Sequence, residues 1–162
     1  MSNEYQSGHV ADYIPTLARA NTAWLASSFC STDGQFCELG DVNDMFSIQS
    51  VSKVVTYSFL YELIGERVHH YVGEEPSGVV FNAPVFDSKG KPHNPMVNAG
   101  AIMVCAVLVK EGKNLQDILD FYGKACNVDD VRIDEECYLG EKATGFNNFA
   151  LTYLMLAKGA FP

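Results

Sequence analysis

A serine and a lysine three residues apart, Ser50 and Lys53, stand at the mouth of a strongly apolar helical stretch. At that spacing two side chains share one helix face, so the amine can reach the hydroxyl. A serine hydroxyl is a weak nucleophile at neutral pH and needs an adjacent base. A lysine whose ammonium is desolvated by burial loses proton affinity and can serve as one. A serine in a first helical turn also lies where free backbone N–H groups and the helix dipole can stabilise an oxyanion on an attacked carbonyl. The bland alternative is an N-cap serine followed by a lysine extended into water. By composition about one S-x-x-K arises by chance in a chain this long. A second one is present, Ser88-Lys89-Gly90-Lys91, in a polar turn flanked by glycine and proline, where lysines stay solvated and protonated. Spacing alone leaves catalysis and capping both open for Ser50.

The elements that must position this pair can be read outward from it. Residues 46–65, FSIQSVSKVVTYSFLYELIG, combine a short extended lead-in with a predicted helix over 51–64. Its apolar positions Val51, Val54, Val55, Phe59, Leu60, Leu63 and Ile64 fill more than one stripe, which predicts a helix buried in the middle of a domain, stopped by Gly65. Upstream, Asp12 can cap a short helix over 13–20, with Pro15 in its first turn. Strands are predicted over 23–30 and 35–39 around the Asp33-Gly34 hairpin signal. Downstream, a helical turn over 66–71 leads into a Gly/Pro-studded segment over 72–94, interrupted by one hydrophobic run at 79–81; a connection of that length suits a lid or gate. Asn94-Pro95 opens a second apolar helix over 97–110, whose Ala99, Gly100 and Ala101 admit another backbone closely. Helices over 115–126, 134–142 and 146–158 complete an α+β pattern.

Bulk composition narrows the partners. A chain of 162 residues, 48% hydrophobic and 19% charged, suits one globular domain. A net charge of -9 without a basic run argues against nucleic acid and anionic membrane surfaces, leaving small molecules. Five scattered cysteines, Cys30, Cys37, Cys105, Cys126 and Cys137, without a C-x-x-C pair predict free thiols rather than disulfides or zinc. His69, His70 and His93 lack ligand-like spacing and are assigned to structure. No stretch is apolar for the length of a membrane span, and the polar start lacks a signal-peptide pattern. The expected compartment is cytoplasmic or the mitochondrial matrix.

Four blocks then carry a family resemblance: VADYIP at 10–15, QSVSK at 49–53, YVGEEPSG at 71–78 and KPHNPMVNAGAI at 91–102. Together, in this order, they resemble the serine-dependent glutaminases of the β-lactamase and penicillin-binding fold group, close to the animal enzymes. The resemblance implies an antiparallel sheet with a buried central helix and a helical region. It implies hydrolysis of L-glutamine to L-glutamate and ammonia through a serine acyl-enzyme, with no metal or organic cofactor. Ser50 would be the nucleophile, and Lys53 its base and the acid for departing ammonia. The family's substrate-binding positions carry over onto Tyr13, Gln49, Asn98, Glu141 and Asn148. Asn98 and Asn148 fall at predicted helix starts, where amide donors suit a carboxylate, and Glu141 would hold the ammonium. Singly, each has a structural alternative as a packed aromatic, a cap or a solvated acid.

Two departures accompany the resemblance. It covers only about the N-terminal half of the family's catalytic domain, so residues 1–162 are expected to hold the Ser-Lys dyad in an incomplete, inactive site. Further active-site tyrosines and a backbone oxyanion donor would lie in the other half, as would strands that cover the central helices; a homo-oligomer is the expected state. Within the segment that gates the site in the animal enzymes, Ala83-Pro84-Val85-Phe86 departs from the expected Leu-Phe pairing, so regulation by phosphate is not carried over. Another serine amidase or esterase of the same fold, or a truncated non-catalytic subunit, are the alternatives.

Overall fold

The computed structural model describes residues 8–162; most of the polar start assessed for a signal peptide lies outside the described residues. Among the described residues, five α-helices and a two-stranded antiparallel hairpin make an α+β arrangement, divided into two compact units. None of the described helices is long and apolar enough to cross a membrane.

The first unit comprises residues up to 47 together with 134–144. Its hairpin pairs β1 (Ala26–Cys30) with β2 (Phe36–Gly40), with Ser27 opposite Leu39 and Phe29 opposite Cys37. The turn forms where Asp33-Gly34 predicts it. Gly34 takes φ 86°, and the Ser31 N–H donates to the Gln35 carbonyl at 2.9 Å. Gly40 cannot carry a side chain, because a Cβ there would stand 2.0 Å from the Leu25 carbonyl oxygen. The helix expected over 13–20 is shorter than predicted: turns lead into a single 3-10 turn at Leu17–Arg19. What anchors this stretch is tertiary. Ile14 is fully buried and lies against Gly140 of the helix Glu135–Thr144, and Arg19 pairs with Glu136 of the same helix.

The second unit, Ile48–Ile133 with Gly145–Pro162, contains the other four helices. In chain order these are α1 (Ser52–Ile64), α2 (Asn98–Lys110), α3 (Leu115–Cys126) and, after α4 (Glu135–Thr144) of the first unit, α5 (Phe146–Ala157). Phe59, Leu60 and Ile64 of α1 join Met103, Val107 and Leu108 of α2 and Leu151 and Met155 of α5 in one apolar core. Phe59 also stacks on Phe121 of α3, ring centroids 4.7 Å apart. Gly65 ends α1 at φ 58°, and a 3-10 turn over Gly65–His70 follows, as expected. The segment over 72–94 forms no regular element. It is fixed at its far end by Asn94, whose Oδ1 accepts from the N–H groups of Met96 and Val97 at 3.0 and 3.1 Å. Gly100 then lets α2 pass under that turn, since a Cβ there would stand 1.9 Å from the Asn94 carbonyl oxygen.

The apolar residues of α1 are covered unevenly: Val54, Tyr61 and Leu63, and Val51 just ahead of the helix, are exposed among the described residues, as expected if the strands that cover the central helices lie in the other half of the family's domain. The other helices of this unit pack against one face of α1, and none of them reaches the other.

Candidate active site

Ser50 sits in a one-turn 3-10 segment, Gln49–Val51, that runs directly into α1. Gln49 enters that turn at φ 45°, a left-handed conformation that costs a non-glycine residue of order 1 kcal/mol or more. The serine is exposed and Gln49 half-buried. The strained residue thus stands directly ahead of an exposed serine at a helix start, where the N–H groups of Val51 and Ser52 are taken within the turn by the carbonyls of Ile48 and Gln49.

Lys53, one turn on, is part-buried and held from α2 and α5. Its Nζ donates to Oδ1 of Asn98 at 2.7 Å, and Nδ2 of Asn98 donates in turn to Oδ1 of Asn148 at 3.0 Å. The Asn148 carbonyl accepts from the Thr152 hydroxyl at 2.9 Å. The lysine Nζ also stands 5.5 Å from the centre of the Phe81 ring, and the Phe81 carbonyl accepts the Asn98 N–H at 2.9 Å. Phe81 thus touches both the lysine and the residue that holds it. Three of the residues singled out in the sequence, Lys53, Asn98 and Asn148, form one hydrogen-bonded line, with Gln49 and Ser50 in the turn before it. The backbone N–H of Asn98 is taken by Phe81, so of this residue only the side-chain amide remains to meet a ligand. Tyr13 and Glu141 belong to the first unit, where both are exposed, Glu141 on α4.

The second S-x-x-K is built differently. Ser88 is exposed in a tight turn closed by Asp87, whose Oδ1 accepts the N–H groups of Lys89 and Lys91, each at 2.8 Å. Lys91 sends its Nζ to the His69 carbonyl at 2.9 Å. Its amine is therefore a structural tie. In a protein that carries the whole catalytic domain, Ser88→Ala is expected to leave activity within about twofold of the parent, checked by ammonia release; a loss comparable to that of Ser50→Ala would transfer the chemistry to the second motif.

Phe81 was visible in the sequence only as part of a hydrophobic run in a loop. No local spacing connects it to Lys53, because the two meet through the folding of the 72–94 segment. Thr56 and Tyr122, which flank the Ser50–Lys53 turn from the helix side, carried no sequence signal at all.

A family model described as Glutaminase matches residues 8–162, nearly the whole chain. The chain belongs to the glutaminase family. Among its relatives is the glutaminase of Microcystis aeruginosa, 40% identical over 161 residues, a match covering 97% of this chain and 47% of the relative. The fold superposes on a probable glutaminase, ybaS, with a TM-score of 0.86 at 30% identity, over 96% of this chain and 52% of that one. It also superposes on a probable glutaminase from Bacillus subtilis complexed with 6-diazo-5-oxo-L-norleucine, with a TM-score of 0.75 at 28% identity, over 98% of this chain and 48% of that one. The chain spans about half the length of these relatives.

Proposed function

We propose that this chain supplies the nucleophile-bearing, N-terminal part of a catalytic domain that hydrolyses L-glutamine to L-glutamate and ammonia. The observation that carries the reading is the line from Lys53 through Asn98 to Asn148, one turn beyond a serine reached through a strained residue. Ser50 attacks the side-chain amide carbon of glutamine while Lys53 takes its proton. The tetrahedral intermediate collapses to an acyl-enzyme as Lys53 returns that proton to the departing nitrogen, which leaves as ammonia. Water, deprotonated by the same amine, then attacks the acyl carbon, and as the bond to Ser50 Oγ breaks Lys53 passes that proton to the serine oxygen, releasing glutamate and restoring both groups. Asn98 keeps the amine in place during both transfers; its amide nitrogen carries two hydrogens, one for Asn148 and one for a substrate oxygen. The chemistry needs no metal or organic cofactor. The fold is read as that of the β-lactamase and penicillin-binding group, the working form as a homo-oligomer, and the compartment as cytoplasmic or mitochondrial matrix.

Gln49, Asn98 and Asn148 are assigned to substrate binding together with Tyr13 and Glu141, the last as the acceptor for the substrate ammonium. Glu141→Gln should weaken glutamine by about 2 to 5 kcal/mol once the bound substrate desolvates the pair. An analogue lacking the amino group should be nearly unaffected. Competition assays with both ligands check this, and equal losses on both would return Glu141 to a structural role.

The reading as a whole is tested by ammonia and glutamate release from L-glutamine, measured on a protein that joins this chain to the rest of the catalytic domain. Turnover of simple esters or peptide amides in preference to glutamine would favour a different serine amidase or esterase.

A further inference from the structure

We infer that Tyr122 is a positioning residue for the Ser50–Lys53 turn, a role that rests on those two side chains being the reacting pair. Tyr122 lies on α3, 70 residues from the turn in sequence, and only 7% of it is exposed. Its hydroxyl donates to the backbone carbonyl of Ser52 at 2.5 Å, the residue between the proposed nucleophile and its base. The same carbonyl accepts from the Thr56 hydroxyl at 2.9 Å. Each hydroxyl has one hydrogen, and the Ser52 carbonyl is the nearer acceptor for both, at 2.5 and 2.9 Å against 3.3 Å between the two hydroxyl oxygens. A carbonyl oxygen only accepts, which fixes the phenol as the donor. Burial pushes the Tyr122 phenol up, so it keeps its proton wherever the enzyme works.

The clamp answers a need that the turn itself creates. Gln49 at φ 45° stores strain immediately before Ser50, and such a conformation persists only when its surroundings over-determine it. On the far side of the turn Lys53 is fixed by Asn98. Between these two points the backbone is fixed from outside α1 by Tyr122. Its neighbour Phe121 stacks on Phe59 two turns further along α1, so α3 grips the helix at two points and transmits its rigidity to the first turn. The function of the hydroxyl is therefore to hold the distance and angle between Ser50 and Lys53, and neither bond formation nor substrate contact falls to it.

Native-state hydrogen exchange on the protein that carries the whole catalytic domain tests this directly. In Tyr122→Phe, the amides of residues 50–56 should exchange about tenfold faster, the loss of one hydrogen bond, while the α2 core amides at 103–108 keep their rates. Thr56→Val, which removes the other donor, should loosen the same amides, and Thr56→Ser should restore the parent rates. An unchanged turn, or an equal acceleration across α1, α2 and α5, would overturn the proposal. In the protein carrying the whole catalytic domain, kcat for glutamine should fall about tenfold in Tyr122→Phe with KM within twofold; a parent-like kcat or a loss confined to KM would also overturn it. Ser50→Ala assayed alongside separates the two levels: if it still hydrolyses glutamine, the serine reading has failed, whereas an inactive Ser50→Ala beside a fully active Tyr122→Phe refutes the positioning role alone.

Discussion

Ser50→Ala is expected to abolish glutamine hydrolysis, by a factor of about 10⁴ or more, while leaving the unfolding transition where it was, when measured in a protein that carries the whole catalytic domain. The expectation follows from position. Ser50 is exposed, so removing its hydroxyl vacates no packed space, and the helix start it occupies retains the strained Gln49 and the bond from Lys53 to Asn98. Lys53→Ala is expected to be nearly as damaging to turnover. The two losses should not add, because nucleophile and base act as one unit and a nucleophile without its base is already idle. The lysine differs from the serine in its structural consequences. Its amine is tied to Asn98 and lies over Phe81, so its removal should also loosen the start of α2 and the segment over 72–94. Paired assays of ammonia release and denaturant unfolding separate these effects. Residual activity near that of the parent in Ser50→Ala would remove the serine from the mechanism.

The second large effect concerns the chain as it stands. Residues 1–162 by themselves should associate, unfold without a sharp cooperative transition and release no more than trace ammonia from glutamine. Apolar surface is exposed on three elements. On one face of the hairpin, Phe29 and Leu39 are 69% and 75% exposed; on α5, Phe146 and Tyr153 are 74% and 70% exposed, in a stripe opposite the buried Leu151 and Met155. At the start of α1, Val51 of the preceding turn and Val54 of the helix are exposed beside the proposed nucleophile and base. Surfaces of this kind on a monomer drive association, and the hairpin adds strand edges that lack a neighbour among the described residues. The expected loss of activity has a separate origin in the proposed reading, in which further active-site tyrosines and an oxyanion donor would come from the half of the family's domain outside this match. Light scattering, denaturant titration and an ammonia assay on the purified chain check the three parts. A monomer with a steep transition would refute the surface argument, and turnover like that of a complete enzyme would show the remaining groups to be dispensable.

Local physical chemistry was enough to place the hairpin, the two apolar helices, the stop at Gly65 and the S-x-x-K at a helix mouth. Each of these rests on contacts within a few residues: a glycine at positive φ in the turn, a stripe of apolar side chains, a spacing of one helical turn. Four family-like blocks in order were enough to point to glutaminases. Where the sequence reading fell short, the deciding contacts lie far apart in the chain. The helix expected over 13–20 gives way to turns because Ile14 and Arg19 find partners on α4, more than a hundred residues away, and local propensity loses to that packing. Likewise α1 carries apolar residues all round, but composition cannot say which face finds a neighbour. Type and spacing alone left two S-x-x-K motifs, which local context already set apart as a helix mouth and a polar Gly/Pro-flanked turn; tertiary structure added what receives each amine, Asn98 and the Phe81 ring for Lys53 and a backbone carbonyl for Lys91. The hold of Tyr122 on Ser52 lies beyond any reading of spacing, since it spans 70 residues and exists only once α3 has packed on α1.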